Sequence, residues 1–156
     1  MLTDIVFQLQ TLGKVALACI LGGLIGLERE IADKPAGFRT HMMVAGVAAL
    51  IIRLSDPLMA WFASRNIDDM FRPDPFRLFE AIITGVAFLG AGTILRRDKG
   101  GTVKGLTTAG SILIAAVIGI CVALDQYVLG AGMTGLTLLL LKVMHFLDVR
   151  ISKSRD

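Results

Sequence analysis

The chain has 156 residues, 54% of them hydrophobic, with a mean hydropathy of +0.72 and a formal net charge of +3. A soluble domain of this length can bury a core, but it would not carry five separated apolar runs, each approaching the roughly 20 residues that cross a bilayer. An ordinary soluble domain is therefore excluded, and with it most of the force of a pI near 9.1 as a hint of nucleic acid; what matters is where the charges fall.

The expected architecture is all-α: a polytopic membrane bundle of about five transmembrane helices, forming one domain over residues 1–156. Span one covers about Ile5 to Leu27. No basic segment precedes it, so it reads as a retained helix rather than a cleaved signal. Ala18, Gly22 and Gly26 recur four apart along one face, a row that lets helix backbones approach closely. Lys14 is a charge inside this span, placed toward one end, where its long stem can snorkel. The span closes on Glu28, Arg29 and Glu30, and a turn containing Lys34, Pro35 and Gly37 follows.

Span two begins with Arg39, Thr40 and His41 and runs from about Thr40 to Leu54 or on to Ala63. Arg53 is expected to pair with Asp56 one turn on, with Pro57 loosening or ending the helix there. Trp61 fits a headgroup belt. The long segment from Ser55 to Arg77 balances Arg65, Arg72 and Arg77 with Asp56, Asp68, Asp69 and Asp74.

Span three covers about Leu78 to Leu95, with Gly85, Gly90 and Gly92 as packing positions. A cationic turn follows, carrying Arg96, Arg97, Lys99 and Lys104, and Gly100 and Gly101 let it reverse at little steric cost. Span four, about Leu106 to Leu124, repeats the small-residue row at Ala115, Gly119 and Ala123. Span five follows the short Asp125–Gln126 link, from about Tyr127 to Leu147. Cys19 and Cys121 both lie in apolar runs and read as small hydrophobes.

Lys and Arg concentrate in the turn after span one, the turn after span three and the tail with Arg150, Lys153 and Arg155. By alternation these share one face, which the positive-inside rule makes cytoplasmic, with the N-terminus outside and the C-terminus inside. The two basic turns also align without gaps, Asp33–Arg39 on Asp98–Lys104, which makes the two hairpins candidate parallel repeats.

Two groups of residues suggest a site on that face. Glu28 and Arg39 are expected to pair across the first hairpin. Arg39 and Lys104 would then offer two cationic helix starts to one phosphate, carboxylate or lipid headgroup, with Arg29 and Thr40 as further polar residues of the site. Thr107 and Thr108 stand where span four exposes its unpaired N–H groups, a place that favours an anion. Magnesium prefers an octahedral set of hard oxygens, and the arginines around Glu28 and Glu30 would repel it; a Mg²⁺ role stays open and no metal site is assigned. His41 and His145 read as interfacial residues near helix ends. No nucleophile, zinc or paired-carboxylate pattern points to an enzyme, and GGTVKGLTT is not a phosphate-binding Walker loop, because Gly105 follows Lys104.

The motifs GGLIGLERE, KPAGFRTHMMVAG, DPFR, TGVAFLGAGTILRR and TVKGLTTAGS, in this order, resemble the transmembrane domain of the MgtC/SapB family of bacterial inner-membrane proteins. The likeness covers roughly residues 20 to 120. It implies a role in magnesium limitation and, in several pathogens, survival inside host cells. That role is either regulation of other membrane proteins or transport of Mg²⁺ or an anion through the bundle. On the same resemblance the motif positions include Gly22, Gly26, Glu28, Arg29, Pro35, Gly37, Arg39, Thr40 and His41, then Asp74, Arg77, Gly85, Phe88, Gly90, Gly92 and Lys104 to Ala109. Three departures stand against a virulence-specific role: Glu80-Ala81 where the family often has glutamine, Thr102 where some members have asparagine, and Ile112 to Ile114 without the tryptophan and cysteine of some virulence-associated members. The soluble C-terminal domain of longer members is not expected in this chain. The expected partners are the bilayer with its anionic lipids, other membrane proteins and further copies of the chain, with no nucleic acid and no bound cofactor.

Overall fold

A computed structural model describes residues 2–65, 74–96 and 103–153. Among them the chain forms five helices, α1 (Leu2–Ile31), α2 (Phe38–Ala63), α3 (Pro75–Gly92), α4 (Leu106–Ala123) and α5 (Tyr127–Lys153). Two short strands, β1 (Leu95–Arg96) and β2 (Val103–Lys104), pair antiparallel between α3 and α4, with Leu95 opposite Lys104. The protein is an all-α membrane bundle. The segments Asp4–Ile31, Phe38–Ala63 and Leu106–Ala123 are long and apolar enough to cross a bilayer, and α5 adds the shorter apolar segment Tyr127–Val143. At 1.5 Å per residue α1 is about 45 Å long, against about 27 Å for α4, so α1 overhangs α4.

The bundle is built around α4, which packs against all four other helices. In the apolar window of α4 61% of residues are buried, against 17% for α1. A helix that is apolar all round belongs in the middle, and α4 carries only small or aliphatic residues from Ile112 to Ala123, apart from Cys121. Close approach depends on its missing side chains. A Cβ on Gly119 would run into the backbone carbonyl of Ala45, and one on Gly22 would stand 2.7 Å from the Ala45 Cβ. Gly22 and Gly26 thus stand against α2, and Ala18, Ala115, Gly119 and Ala123 are buried.

Span three differs. A Cβ on Gly90 would stand a tight 3.3 Å from the Ala109 Cβ, but Cβ atoms on Gly85 or Gly92 would meet nothing within 4 Å among the described residues. Among the described residues those two have no helix packed against them, because α3 meets α4 along one edge and barely reaches α2. Nor does α3 continue to Leu95. Thr93 ends it, donating its hydroxyl to the Gly90 carbonyl at 2.7 Å, and the chain enters the β ladder. Asp74 starts the helix by accepting from the Phe76 N–H at 2.9 Å, with Pro75 in the first turn where its missing N–H costs nothing.

Pro57 neither ends nor breaks α2, which runs on to Ala63. Proline removes one N–H from the ladder, the one that would bond the Arg53 carbonyl; in the same turn Ser55 donates its hydroxyl to the neighbouring Ile52 carbonyl at 2.6 Å. The pairing of Arg53 with Asp56 is present, at 2.9 Å. The tip of the second basic turn, with Arg97, Lys99, Gly100, Gly101 and Thr102, lies outside the described residues. So do Asp68, Asp69 and Arg72, and the side chain of His145. The two hairpins differ in the parts that are described: α1–α2 turns through Asp33, which takes a left-handed conformation (φ 53°), whereas α3–α4 is joined by the ladder.

Candidate functional site

The basic ends of α1 and α4 come together with α5 around a cavity of about 390 Å³. Arg29, Ala32 and Lys34 line it from α1 and its turn, Gly105, Thr107, Thr108 and Ser111 from α4, and Thr137 from α5. Two features make the helix start open to a ligand. Gly105 occupies the cap position of α4 in a left-handed conformation (φ 94°) and has no side chain to bond the first N–H groups. Its own Cβ, were there one, would collide with the Thr93 carbonyl, so only glycine fits between the ladder and the helix. The uncapped N–H groups carry the positive end of the helix dipole.

Arg29 is only 4% exposed, and its charge is met by Glu28, which accepts from Nε at 2.5 Å and from Nη2 at 2.8 Å. The expected Glu28–Arg39 pair is not formed. Arg39 and Thr40 lie exposed on α2 and line no part of the cavity, and Lys104 is exposed on β2, outside the lining as well. The reason is local: a carboxylate beside a buried guanidinium is held by it, and the cross-hairpin role passes to Glu30. Glu30 Oε2 accepts from the Phe38 N–H at 2.8 Å, capping α2, whose own cap residue Gly37 has no side chain. Of the expected site residues, Arg29, Thr107 and Thr108 line the cavity together, and Glu28 reaches it through Arg29. Its second cation is Lys34, not Arg39 or Lys104.

His41, expected at an interface, is fully buried behind the cavity. Its Nδ1 lies 2.9 Å from the Gly37 carbonyl and its Nε2 2.9 Å from Ser111 Oγ. A carbonyl only accepts, so in the neutral ring Nδ1–H donates to Gly37 and Nε2 accepts the Ser111 hydroxyl proton. Ser111 Oγ also lies 2.9 Å from the Thr108 carbonyl, which competes for the same proton. The cavity wall is thereby tied to α2 through one hydroxyl. Ser111 stands three residues after Thr108, so a hydroxyl face on span four was visible in the sequence; its bond to a residue 70 positions away was not. Beneath the cavity Ile25, Ile118 and Ala115 are fully buried. The lining offers two cations, hydroxyls and backbone N–H groups and no carboxylate. It does not fit Mg²⁺, which needs hard anionic or neutral oxygens; it fits an anion.

The profile of the MgtC family matches residues 15–150, a stretch that contains the cavity residues and most of the bundle. This chain belongs to the MgtC family. Over 138 residues it is 38% identical to YhiD of Escherichia coli K12, named as a candidate magnesium transporter; the match covers 88% of this chain and 62% of that protein. It is 39% identical over 111 residues to protein MgtC of Salmonella typhimurium LT2, covering 70% of this chain and 42% of MgtC. To protein SapB of Bacillus subtilis it is 36% identical over 114 residues, covering 73% and 47%. The MgtC-family chain thus spans between two fifths and two thirds of the length of these relatives. No solved structure matches it.

Proposed function

We propose that this protein is a non-enzymatic bacterial inner-membrane protein that supports adaptation to low magnesium by modulating other membrane proteins or ion balance. The N-terminus lies outside and the C-terminus in the cytoplasm, so that the Arg29 cavity opens inward, and the cavity takes an anionic group. One observation carries the reading. The cavity pairs an uncapped helix start with Arg29 and Lys34, and its lining residues Ile114 and Leu141 pack with the fully buried Ile25 and Ile118. The magnesium connection rests on membership of the MgtC family and on the name of YhiD.

The second reading, transport of Mg²⁺ or an anion through the bundle, is favoured by that name. Purified protein in proteoliposomes separates the two. We expect no Mg²⁺ flux, and phosphate or nucleotide binding that Lys34→Gln weakens about tenfold, roughly 1.4 kcal/mol. Lys34 is exposed and outside the helices, which makes it the clean substitution. Glu28→Ala would instead leave Arg29 buried and unpaired, at a cost of about 3–5 kcal/mol. Specific Mg²⁺ flux, or anion affinity unchanged in Lys34→Gln, sinks the proposal.

A further inference from the structure

Most of the circumference of α3 is uncovered, since the helix meets only α4 along one edge. Uncovered surface on a membrane helix faces lipid and calls for large apolar side chains, as with Ile5, Leu9 and Leu12 on α1 or Leu136 and Leu139 on α5. One stripe of α3 is built differently. Arg77, Glu80, Thr84, Ala87 and Ala91 are all exposed, and their alternating spacing of three and four residues places them along one side of the helix. None of the five is a large apolar residue. Gly85 lies off this stripe, in the apolar groove toward α2.

The two charges of the stripe are unmatched. Arg53 and Asp56, three apart on α2, form an ion pair; Arg77 and Glu80, at the same spacing, do not, and neither side chain has a hydrogen bond or ion pair among the described residues. Glu80 is the harder of the two to place. Gly90 stands opposite Ala109, which sets the register of the α3–α4 hairpin. Ten residues earlier, about 15 Å along α3, Glu80 comes level with Gly119, inside the apolar segment Leu106–Ala123. An ionisable side chain at that depth is costly and implies a partner.

The partner has to bring a cation to Glu80 and, one turn away, an anion to Arg77. An anionic lipid headgroup would answer Arg77 but leave the deeper carboxylate unmet. A second copy of this chain answers both. Copies related by a two-fold axis along the membrane normal set α3 parallel to α3, and such a contact uses one patch twice, so the patch must complement itself. This one does: Glu80 of each copy faces Arg77 of the other, and Thr84, Ala87 and Ala91 let the two backbones approach closely. We infer that the protein forms a parallel dimer along this stripe of α3, held by two reciprocal Arg77–Glu80 pairs.

Thr84→Cys, in the middle of the stripe, tests this with both charges in place. Purified protein in liposomes of phosphatidylethanolamine and phosphatidylglycerol is oxidised with copper phenanthroline, and covalent dimer is read on non-reducing gels. Thr84→Cys should cross-link for the most part, well above wild type with its own Cys19 and Cys121, whereas Leu139→Cys, exposed on α5, should stay at the wild-type level. Added to Thr84→Cys, Glu80→Arg or Arg77→Glu sets like charges together and should lower the cross-linked fraction at least tenfold. The two combined exchange the charges, regenerate both pairs and should restore the dimer, a rescue that a misfolded chain would not show. If a single charge variant does not fold, Thr84→Cys against Leu139→Cys decides alone. Thr84→Cys at the wild-type level overturns the inference by giving the face to a different membrane protein or to lipid. Equal cross-linking at Leu139→Cys, undiminished cross-linking in the single charge variants, or no rescue in the exchange overturns it too.

Discussion

The two helical hairpins share a design in sequence and part company in space. In α1–α2, glycines open one helix to the backbone of the next: a Cβ on Gly26 would stand 2.8 Å from the Gly37 carbonyl and from Phe38 Cα. On α3 Gly90 faces Ala109, whereas Gly85 and Gly92 face nothing within 4 Å among the described residues. Small residues permit close approach, but they do not compel it. Where α2 lies between α1 and α4 the permission is used twice over; α3, at the edge, leaves it unused.

Substitutions at matched glycines would break that comparison most sharply. Gly119→Val and Gly22→Val push a branched side chain into backbone or Cβ atoms of α2, and each should cost about 3 kcal/mol or more. Gly85→Val should stay within about 0.5 kcal/mol. Reversible unfolding in mixed micelles reads both, and equal losses at Gly22 and Gly85 would mean that α3 packs as tightly as α1. A smaller effect tests how the hairpins begin their second helices. Glu30→Ala removes the acceptor that caps α2 across the turn and should cost about 1 kcal/mol. Lys104→Ala, on the exposed strand before the uncapped α4, should leave unfolding unchanged.

The smallest effect lies at the far end of the bundle. Hydrogen bonds from Lys14 and then Tyr127 hold the Asp125 carboxyl below the usual carboxylate range. With the folded value below the unfolded one of about 4, the pair contributes fully above that pH and is lost as pH falls through the lower folded value. The thermal midpoint of wild type should therefore converge on that of Asp125→Asn only in strong acid. The gap at neutral pH should be small and shrink in high salt, since the carboxylate is exposed.

Much of this was legible beforehand. Hydropathy runs indicated five helices, and the described residues form five, since nothing but a self-satisfied backbone survives in hydrocarbon; α5 runs past the expected end at Leu147 to Lys153. Gly22 and Gly26, four apart, both stand against α2. Charge partners were harder. Glu28 has Arg29, Arg39 and Lys34 within reach on a linear map; burial of Arg29 decided among them. His41 read as interfacial because it lies near a helix end, but one residue along a helix from the exposed Thr40 turns the side chain by about 100°, and it is buried against Ser111 of α4.

Sequence alone thus determined the class, the helices and the position of the basic turns, because each depends on local composition and on a solvent that tolerates no unpaired backbone. Tertiary structure decided that α4 is the centre, and that Arg29 and Lys34 rather than Arg39 and Lys104 share a cavity. Those outcomes depend on which surfaces meet, and contacts such as His41 with Ser111 join residues that no local pattern relates.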